Sequence, residues 1–266
     1  MIENLPTAGL LRWYLDAGVD ETMSNVPQNR FNKLALKKEP ALQKKTSNTA
    51  PPMVQQGPAV AETLLHDACE IAAAASSTEA LNKALLDYDG CALKKTATNL
   101  VFGDGNPKAK IVLIGEGPGA EEDRQGLPFV GPGGQLLDKM LASIGLDRTQ
   151  VFLSNIVFWR PPGNRTPTAQ ETSLCMPFVE RLMELIDPEV LITLGGQAAK
   201  SMLAETAGIG RLRGKWYTYS TPKLSRPVQA TALFHPDYLL SSPAHKSEAW
   251  QDLLMIRDKL KSLGLG

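Results

Sequence analysis

Residues 110–123 read KIVLIGEGPGAEED, in which a run of apolar residues passes directly into a glycine-rich loop that ends in three consecutive acids. A continuous apolar run of this length is typical of a strand that is buried on both faces of a sheet. Such strands belong to parallel sheets covered by helices, and ligands bind at the carboxyl ends of these strands. The stretch therefore predicts an α/β fold with a candidate site in the loop after Ile114.

Three further apolar runs repeat this pattern, and segments with helical periodicity separate them. The predicted strands are residues 110–114, 151–155, 190–194 and 230–234. The predicted helices are residues 62–86, 134–144, 168–186, 197–205 and 248–263. We expect a three-layer α/β/α sandwich around a central four-stranded parallel sheet.

The first 60 residues differ in composition from the rest, and we interpret them as an N-terminal extension and flexible linker before a catalytic domain of residues 61–266. Residues 10–17 have the spacing of a short amphipathic helix. Residues 37–60 are rich in Lys, Pro, Gln and Thr and poor in large apolar side chains, which is typical of a linker. Basic residues cluster at its start, and they fit either a DNA-contacting arm or a solubilising linker.

The net charge gives no evidence for nucleic-acid binding, because Lys+Arg and Asp+Glu balance at 28 each. A nucleic-acid-binding surface must therefore be local. No apolar run approaches the ~20 residues that span a bilayer, and the first residues lack a cleavable apolar core, so we expect no membrane partner and no signal peptide. The three cysteines are too few for a disulfide scaffold, and we expect a cytoplasmic protein.

Unusual residues end each predicted strand and should meet at one edge of the sheet. The first strand ends at Gly115, the second at Asn155, the third at Gly195 and the fourth at His235. Because carboxyl ends of parallel strands share an edge, these four positions define a candidate site.

The side chains around this edge suit a nucleobase that is flipped out of DNA. Phe129 offers a ring for stacking, and the Asn155 amide offers one donor and one acceptor face. His235 can stabilise charge that develops on a leaving group, and Glu122 supplies a carboxylate. Each residue alone also fits an ordinary role: Phe129 in the core, Asn155 as a cap, His235 in a turn and Glu122 on a solvated loop.

The loop at residues 115–120 also fits the dinucleotide-binding pattern G-x-G-x-x-A. Three acids follow where a pyrophosphate would lie, and like charge disfavours that contact. The ribose-binding acid expected about 20 residues further on is missing as well. These departures make dinucleotide binding the weaker interpretation.

At these residues the sequence resembles the family 4 uracil-DNA glycosylases, within the wider uracil-DNA glycosylase superfamily. The resemblance begins near Asp87 and continues to the C-terminus. The matching stretches are GEGPGAEEDRQGLPFVGPGGQLLDKML (115–141), LSNIVFWRPPGNRTPT (153–168), TLGGQAA (193–199), RLRGKW (211–216) and HPDYLL (235–240).

The resemblance implies a uracil pocket. Glu116 and Gly117 would line it through backbone groups, Phe129 would stack on the base, and Asn155 would read the uracil edge. The implied activity is hydrolysis of the N-glycosidic bond of deoxyuridine in DNA, which releases uracil and leaves an abasic site during base excision repair.

The implied catalytic residues are Glu122, Asn155 and His235. His235 would contact the leaving oxygen. Gly117 stands where the best-known uracil glycosylases have a water-activating Asp, so Glu122 is the candidate carboxylate that activates water or stabilises the positive sugar.

The expected partner is uracil-containing DNA, with no obligatory protein partner evident. Arg211, Arg213, Lys215 and Lys246 are candidates for phosphate contacts, although each also fits an ordinary surface charge. Residues 237–246 resemble the loop that wedges into DNA and fills the space that the base leaves.

Most family 4 members hold a four-iron, four-sulfur cluster on four cysteines, and here the match is incomplete. Cys91 and Cys175 occupy two of those positions, whereas Tyr88 and Trp159 occupy the other two. Two thiolates cannot complete a four-thiolate shell. We therefore expect no iron–sulfur cluster and no other metal, with Tyr88 and Trp159 packed in that volume.

Two other functions stay open at this point. One is a glycosylase for other deaminated bases, hypoxanthine or xanthine, on the same fold. The other is a non-catalytic DNA-binding or polymerase-associated module, for which the N-terminal segment leaves room.

Overall fold

A six-stranded mixed sheet forms the centre of the protein, in a computed structural model that describes residues 58–265. Its strand order is β1-β3-β2-β4-β6-β5. The strands are β1 (Asp104–Gly105), β2 (Ile111–Gly115), β3 (Val151–Asn155), β4 (Val190–Leu194), β5 (Trp216–Tyr219) and β6 (Val228–Leu233). The inner four are parallel, and β1 and β5 pair antiparallel at the two edges.

Helices connect the strands and cover both faces of the sheet. They are α1 (Pro58–Ala74), α2 (Thr78–Asp87), α3 (Ala120–Gln125), α4 (Pro132–Ala142), α5 (Ala169–Ile186), α6 (Gly196–Leu203), α7 (Ile209–Leu212), α8 (Pro236–Ser241) and α9 (Lys246–Ser262). Short 3₁₀ turns lie at Ala92–Lys95, Pro162–Asn164 and Pro243–His245.

Alternate side chains of β2 divide the core into two layers. Val112 and Ile114 pack with the apolar residues of α1, α2 and α5, whereas Ile111 and Leu113 pack with those of α4 and α9. A strand that is apolar at every position has both faces buried, as all five residues of β2 are. The predicted α/β/α sandwich around four parallel strands is confirmed.

The strand register brings the candidate residues to one edge. Gly115 pairs with Asn155 at the ends of β2 and β3, and Leu194 pairs with Leu233 at the ends of β4 and β6. His235 lies two residues beyond that last pair and is the N-cap of α8.

Several predicted boundaries differ from the observed ones. The segment predicted as one helix over 62–86 is two helices, because the chain breaks after Ala74 and Ser77 caps α2 by accepting a hydrogen bond from the Ala80 N–H. Helix α1 begins at Pro58, inside the predicted linker. The edge strands β1 and β5 were not predicted, since neither has the fully buried pattern of the inner strands.

All described residues belong to one compact unit. The domain boundary at residue 61 stays a prediction. The predicted helix at 10–17 and the linker residues before 58 lie outside the described residues.

Candidate active site

The Asn155 side chain lies at the end of β3 and is 2% exposed. Its Oδ1 is buried and accepts no hydrogen bond from any described residue. A buried acceptor without a partner costs about 1–3 kcal/mol. This oxygen is therefore available to a ligand that carries a donor group.

Gly115 makes room for both Asn155 and an aromatic ring. A Cβ atom on Gly115 would lie 2.6 Å from Asn155 Oδ1 and 2.6 Å from Phe129 Cζ. Both side chains thus approach the same point of the β2 backbone, and a larger residue at position 115 would displace them.

Phe129 is held in an unusual backbone conformation. Its φ is 55°, in the left-handed region that non-glycine residues rarely adopt. Arg148 donates hydrogen bonds to the carbonyls of Pro128 and Phe129, and it pairs with Asp104. Gly134 permits the Phe129 carbonyl to lie against α4, because a Cβ there would meet that oxygen. The surrounding contacts therefore stabilise a strained residue, as is common at functional sites.

His235 faces Phe129, with 6.1 Å between the two ring centroids. Its Nδ1 accepts a hydrogen bond of 3.3 Å from the Asp237 N–H at the start of α8. Burial lowers the pKa of His235 from its ordinary value, although the carboxylates of Asp237 and Glu122 act in the opposite direction. These effects favour a neutral imidazole whose proton is on Nε2, the nitrogen that is free to donate to a ligand.

Glu122 connects two loops of the site. Its Oε1 accepts hydrogen bonds from the N–H groups of Val130 (3.0 Å) and Gly131 (2.8 Å), and its Oε2 accepts one from Gly119 (3.1 Å). The carboxylate thus ties the loop after β2 to the segment that carries Phe129. Sequence reasoning missed this tie, because backbone donors leave no trace in residue identity.

A cavity of about 230 Å³ opens at His235, and Asn155, Phe129 and Glu122 are not among the residues that line it. Glu116, Gly117, Pro161, Asn164, Arg165 and His235 are among the residues that line it. Burial raises the pKa of the Glu116 carboxyl. Sequence reasoning also missed Arg165, which lines the cavity and forms a two-bond ion pair with Glu171.

Residues 102–254 match the model of the uracil DNA glycosylase superfamily. The chain belongs to this superfamily. It is 42% identical over 170 residues to a Type-4 uracil-DNA glycosylase of Archaeoglobus fulgidus. The matched segment covers 62% of this chain and 84% of the relative. It is 36% identical over 187 residues to the Type-4 uracil-DNA glycosylase of Sulfurisphaera tokodaii. This match covers 68% of this chain and 84% of the relative.

A third relative is a much larger protein. The chain is 31% identical over 170 residues to a DNA polymerase of Bacillus phage SP01, and the match covers 64% of this chain and 18% of the polymerase. The superfamily domain therefore also resembles part of a polymerase chain.

Among the described residues, the four positions expected to bind an iron–sulfur cluster carry only two thiols, those of Cys91 and Cys175. Cys91 and Cys175 are fully buried, and they lie close enough that each shifts the pKa of the other, lowering that of Cys91 and raising that of Cys175. Tyr88 is 4% exposed and packs on Phe178 with ring centroids 5.1 Å apart, and Trp159 is 3% exposed. The two aromatic side chains occupy core volume as predicted, and the donor set does not fit a four-iron cluster.

The four basic residues predicted to contact phosphates differ in their surroundings. Arg211, Lys215 and Lys246 are exposed, and none forms an ion pair with another described residue. Arg213 instead donates to both carboxylate oxygens of Asp252, at 2.8 and 2.9 Å. Asp252 is buried, so this guanidinium is engaged inside the protein.

We find no helix in the described part of the chain with the length and apolar character needed to cross a bilayer.

Proposed function

We propose that this chain hydrolyses the N-glycosidic bond of deoxyuridine in DNA, releases uracil and leaves an abasic site. The observation that carries the proposal is the buried Asn155 amide, whose unpartnered oxygen shares the space at Gly115 with the Phe129 ring. This arrangement offers a stacking surface and a hydrogen-bonding edge to one flat ring.

Asn155 reads the base edge in this proposal. Its Oδ1 accepts from the uracil N3–H, and its Nδ2 donates to O4. The base would reach the amide only after extrusion from the DNA strand, which costs a few kcal/mol and costs least when the base is mismatched or in single-stranded DNA. Backbone groups of Glu116 and Gly117 would complete the pocket.

His235 stabilises the departing base. As the bond between N1 of uracil and C1′ of the sugar breaks, both electrons stay with uracil, and negative charge develops on O2. A neutral imidazole that donates from Nε2 strengthens its hydrogen bond as this charge grows. Water then adds to C1′ and loses a proton to solvent, and the uracil anion gains one.

Glu122 acts on the sugar through its charge. Because three backbone N–H groups already bond to its carboxylate, we favour stabilisation of the positive sugar over direct removal of a proton from water. Its negative charge lies close enough to raise the pKa of His235, which supports a role for that charge in the site.

The exposed cations Arg211, Lys215 and Lys246 are our proposed phosphate contacts. We propose no such contact for Arg213, because Asp252 holds its guanidinium. Each phosphate contact releases a counterion, so binding should weaken as salt rises.

We further propose that the protein works without an iron–sulfur cluster and without an obligatory protein partner, in the cytoplasm. The two buried aromatic residues at the cluster positions support the first point. The three cysteines form no disulfide, which suits a reducing compartment.

The test is incubation with oligonucleotides that contain uracil, hypoxanthine or xanthine, followed by alkaline cleavage of abasic sites. We expect cleavage at uracil, its loss by orders of magnitude in Asn155→Ala, and no loss in the control Asn82→Ala on α2. Cleavage mainly at hypoxanthine or xanthine would support the alternative glycosylase. DNA binding without base release would support a polymerase-associated module, which the similarity to the phage polymerase keeps as the second candidate.

A further inference from the structure

A second concave surface lies outside the uracil pocket, between α4 and α9. We call it the α4–α9 groove; its volume is about 210 Å³, and Leu136, Met140, Leu239, Ala249 and Leu253 form its apolar lining. Trp250 lies at its edge with 46% of its surface exposed. A large aromatic side chain left this open beside an apolar groove is typical of a binding surface.

The rim of the groove is positively charged. Lys139 and Lys246 line it, and no acidic side chain does. Neither lysine forms an ion pair with another described residue, whereas the nearby Asp138 is already paired with Arg148. The uncompensated positive charge complements a polyanion.

Two of the helices that form the groove begin next to residues of the proposed uracil site. Helix α4 starts three residues after Phe129, and α8 starts directly after His235 and contributes Leu239 to the groove. The side chains of Tyr238 and Leu240, on either side of Leu239, are each 41% exposed. Because the Leu239 N–H bonds to the His235 carbonyl, one turn of α8 separates His235 from the groove.

The wall next to α8 is held in place by side-chain contacts. Tyr238 and His245 stack with ring centroids 5.3 Å apart, and both contact Phe234. Arg213 lies 5.4 Å from the Phe234 ring centroid while it pairs with Asp252 of α9. These contacts fix α8 and α9 relative to each other, so contacts within the protein determine the shape of the groove.

We propose that the α4–α9 groove binds a nucleobase of the substrate DNA that flanks the extruded uracil, with the base stacked on Trp250 and the adjoining phosphates bound by Lys139 and Lys246. An aromatic surface between basic side chains is the arrangement with which proteins bind unpaired bases and their backbone. The proposal rests on DNA being the substrate, and it adds a subsite that the excision chemistry does not require.

The test measures binding of DNA that carries a slowly cleaved uracil analogue, with 2-aminopurine placed in turn at each neighbouring position. We expect Trp250→Ala to weaken binding roughly tenfold, because one base–aromatic stack is lost. At one or two positions the 2-aminopurine emission should be quenched by the wild-type protein and restored by Trp250→Ala. Trp250→Phe should keep most of both effects, and Leu263→Ala, at the far end of α9, should change neither.

The lysines give an independent readout. Lys139→Ala and Lys246→Ala should each lower the slope of log affinity against log salt by about one, and Lys261→Ala should not. Trp250→Ala should raise KM for long substrates and leave kcat and the KM of the shortest cleavable oligonucleotide unchanged.

Equal affinity for wild-type protein and Trp250→Ala, with no position-dependent quenching, would overturn the proposal and leave the groove as a protein-docking surface. This failure differs from failure of the proposed function, in which the wild-type protein releases no uracil from any substrate.

Discussion

Replacing Glu122 separates the two roles that one carboxylate combines. Glu122→Ala removes three hydrogen bonds from backbone N–H groups, those of Gly119, Val130 and Gly131. Bonds to a charged group contribute about 1.5–3 kcal/mol each when buried, and partial exposure here lowers that to about 1 kcal/mol each. We therefore expect a loss of about 3 kcal/mol, which corresponds to a fall in Tm of about 6–12 °C for a domain of this size.

The activity of the two Glu122 variants distinguishes charge from position. Glu122→Gln keeps an oxygen for Val130 and Gly131 but loses the charge, so its Tm should fall by less than that of Glu122→Ala. If the negative charge stabilises the sugar cation, both variants should lose excision by orders of magnitude in single-turnover assays at 25 °C. Glu121→Ala, which removes only an exposed ion pair with Arg124, is the matched control. A wild-type Tm in Glu122→Ala, or wild-type excision in Glu122→Gln, would refute this reasoning.

Three further predictions follow from the same structure. Burial lowers the pKa of His235 from its ordinary value of 6.5, so the imidazole should stay neutral at pH 6.5 and somewhat below. Excision should therefore decline only as the pH falls through this lowered pKa. A decline of the single-turnover rate that begins above pH 6.5 would contradict this prediction. Arg213→Ala should cost about 3–5 kcal/mol in denaturant unfolding because Asp252 is left buried and unpaired, whereas Arg211→Ala should change only the salt dependence of DNA binding. Iron and sulfide analysis of protein purified without oxygen should find neither in stoichiometric amount, and one cluster per chain would overturn the proposal that the protein works without a cluster.

The inner sheet and its site could be predicted because their signals are local. Strand β2 is apolar at each of its buried positions, so its two-sided burial is visible in the residues themselves. The parallel arrangement then places Asn155 and His235 at one edge, whatever the details of the helices between them. The edge strands β1 and β5 carry no such signal, because β1 has two residues and β5 is only partly buried.

The roles of charged residues could not be predicted in the same way, because they depend on what each side chain meets after folding. Arg211 and Arg213 are two positions apart in RLRGKW and look equivalent as candidates for phosphate binding. In the structure Arg211 is exposed, whereas Arg213 turns inward to the Asp252 carboxylate on α9. That pairing joins residues 39 positions apart and is invisible in the local sequence.

The same limit applies to the backbone contacts that hold Phe129 in its conformation. Phe129 adopts a left-handed φ of 55°, a conformation that costs of order 1–3 kcal/mol and is kept only when surrounding contacts determine it. Arg148 binds its carbonyl from one side, and Glu122 binds the N–H groups of the two residues that follow. Because both anchors act on backbone atoms, they would position the ring before any base arrives. A stacking surface that is already in place lowers the entropy lost on binding, which is how a strained loop can favour extrusion of the base.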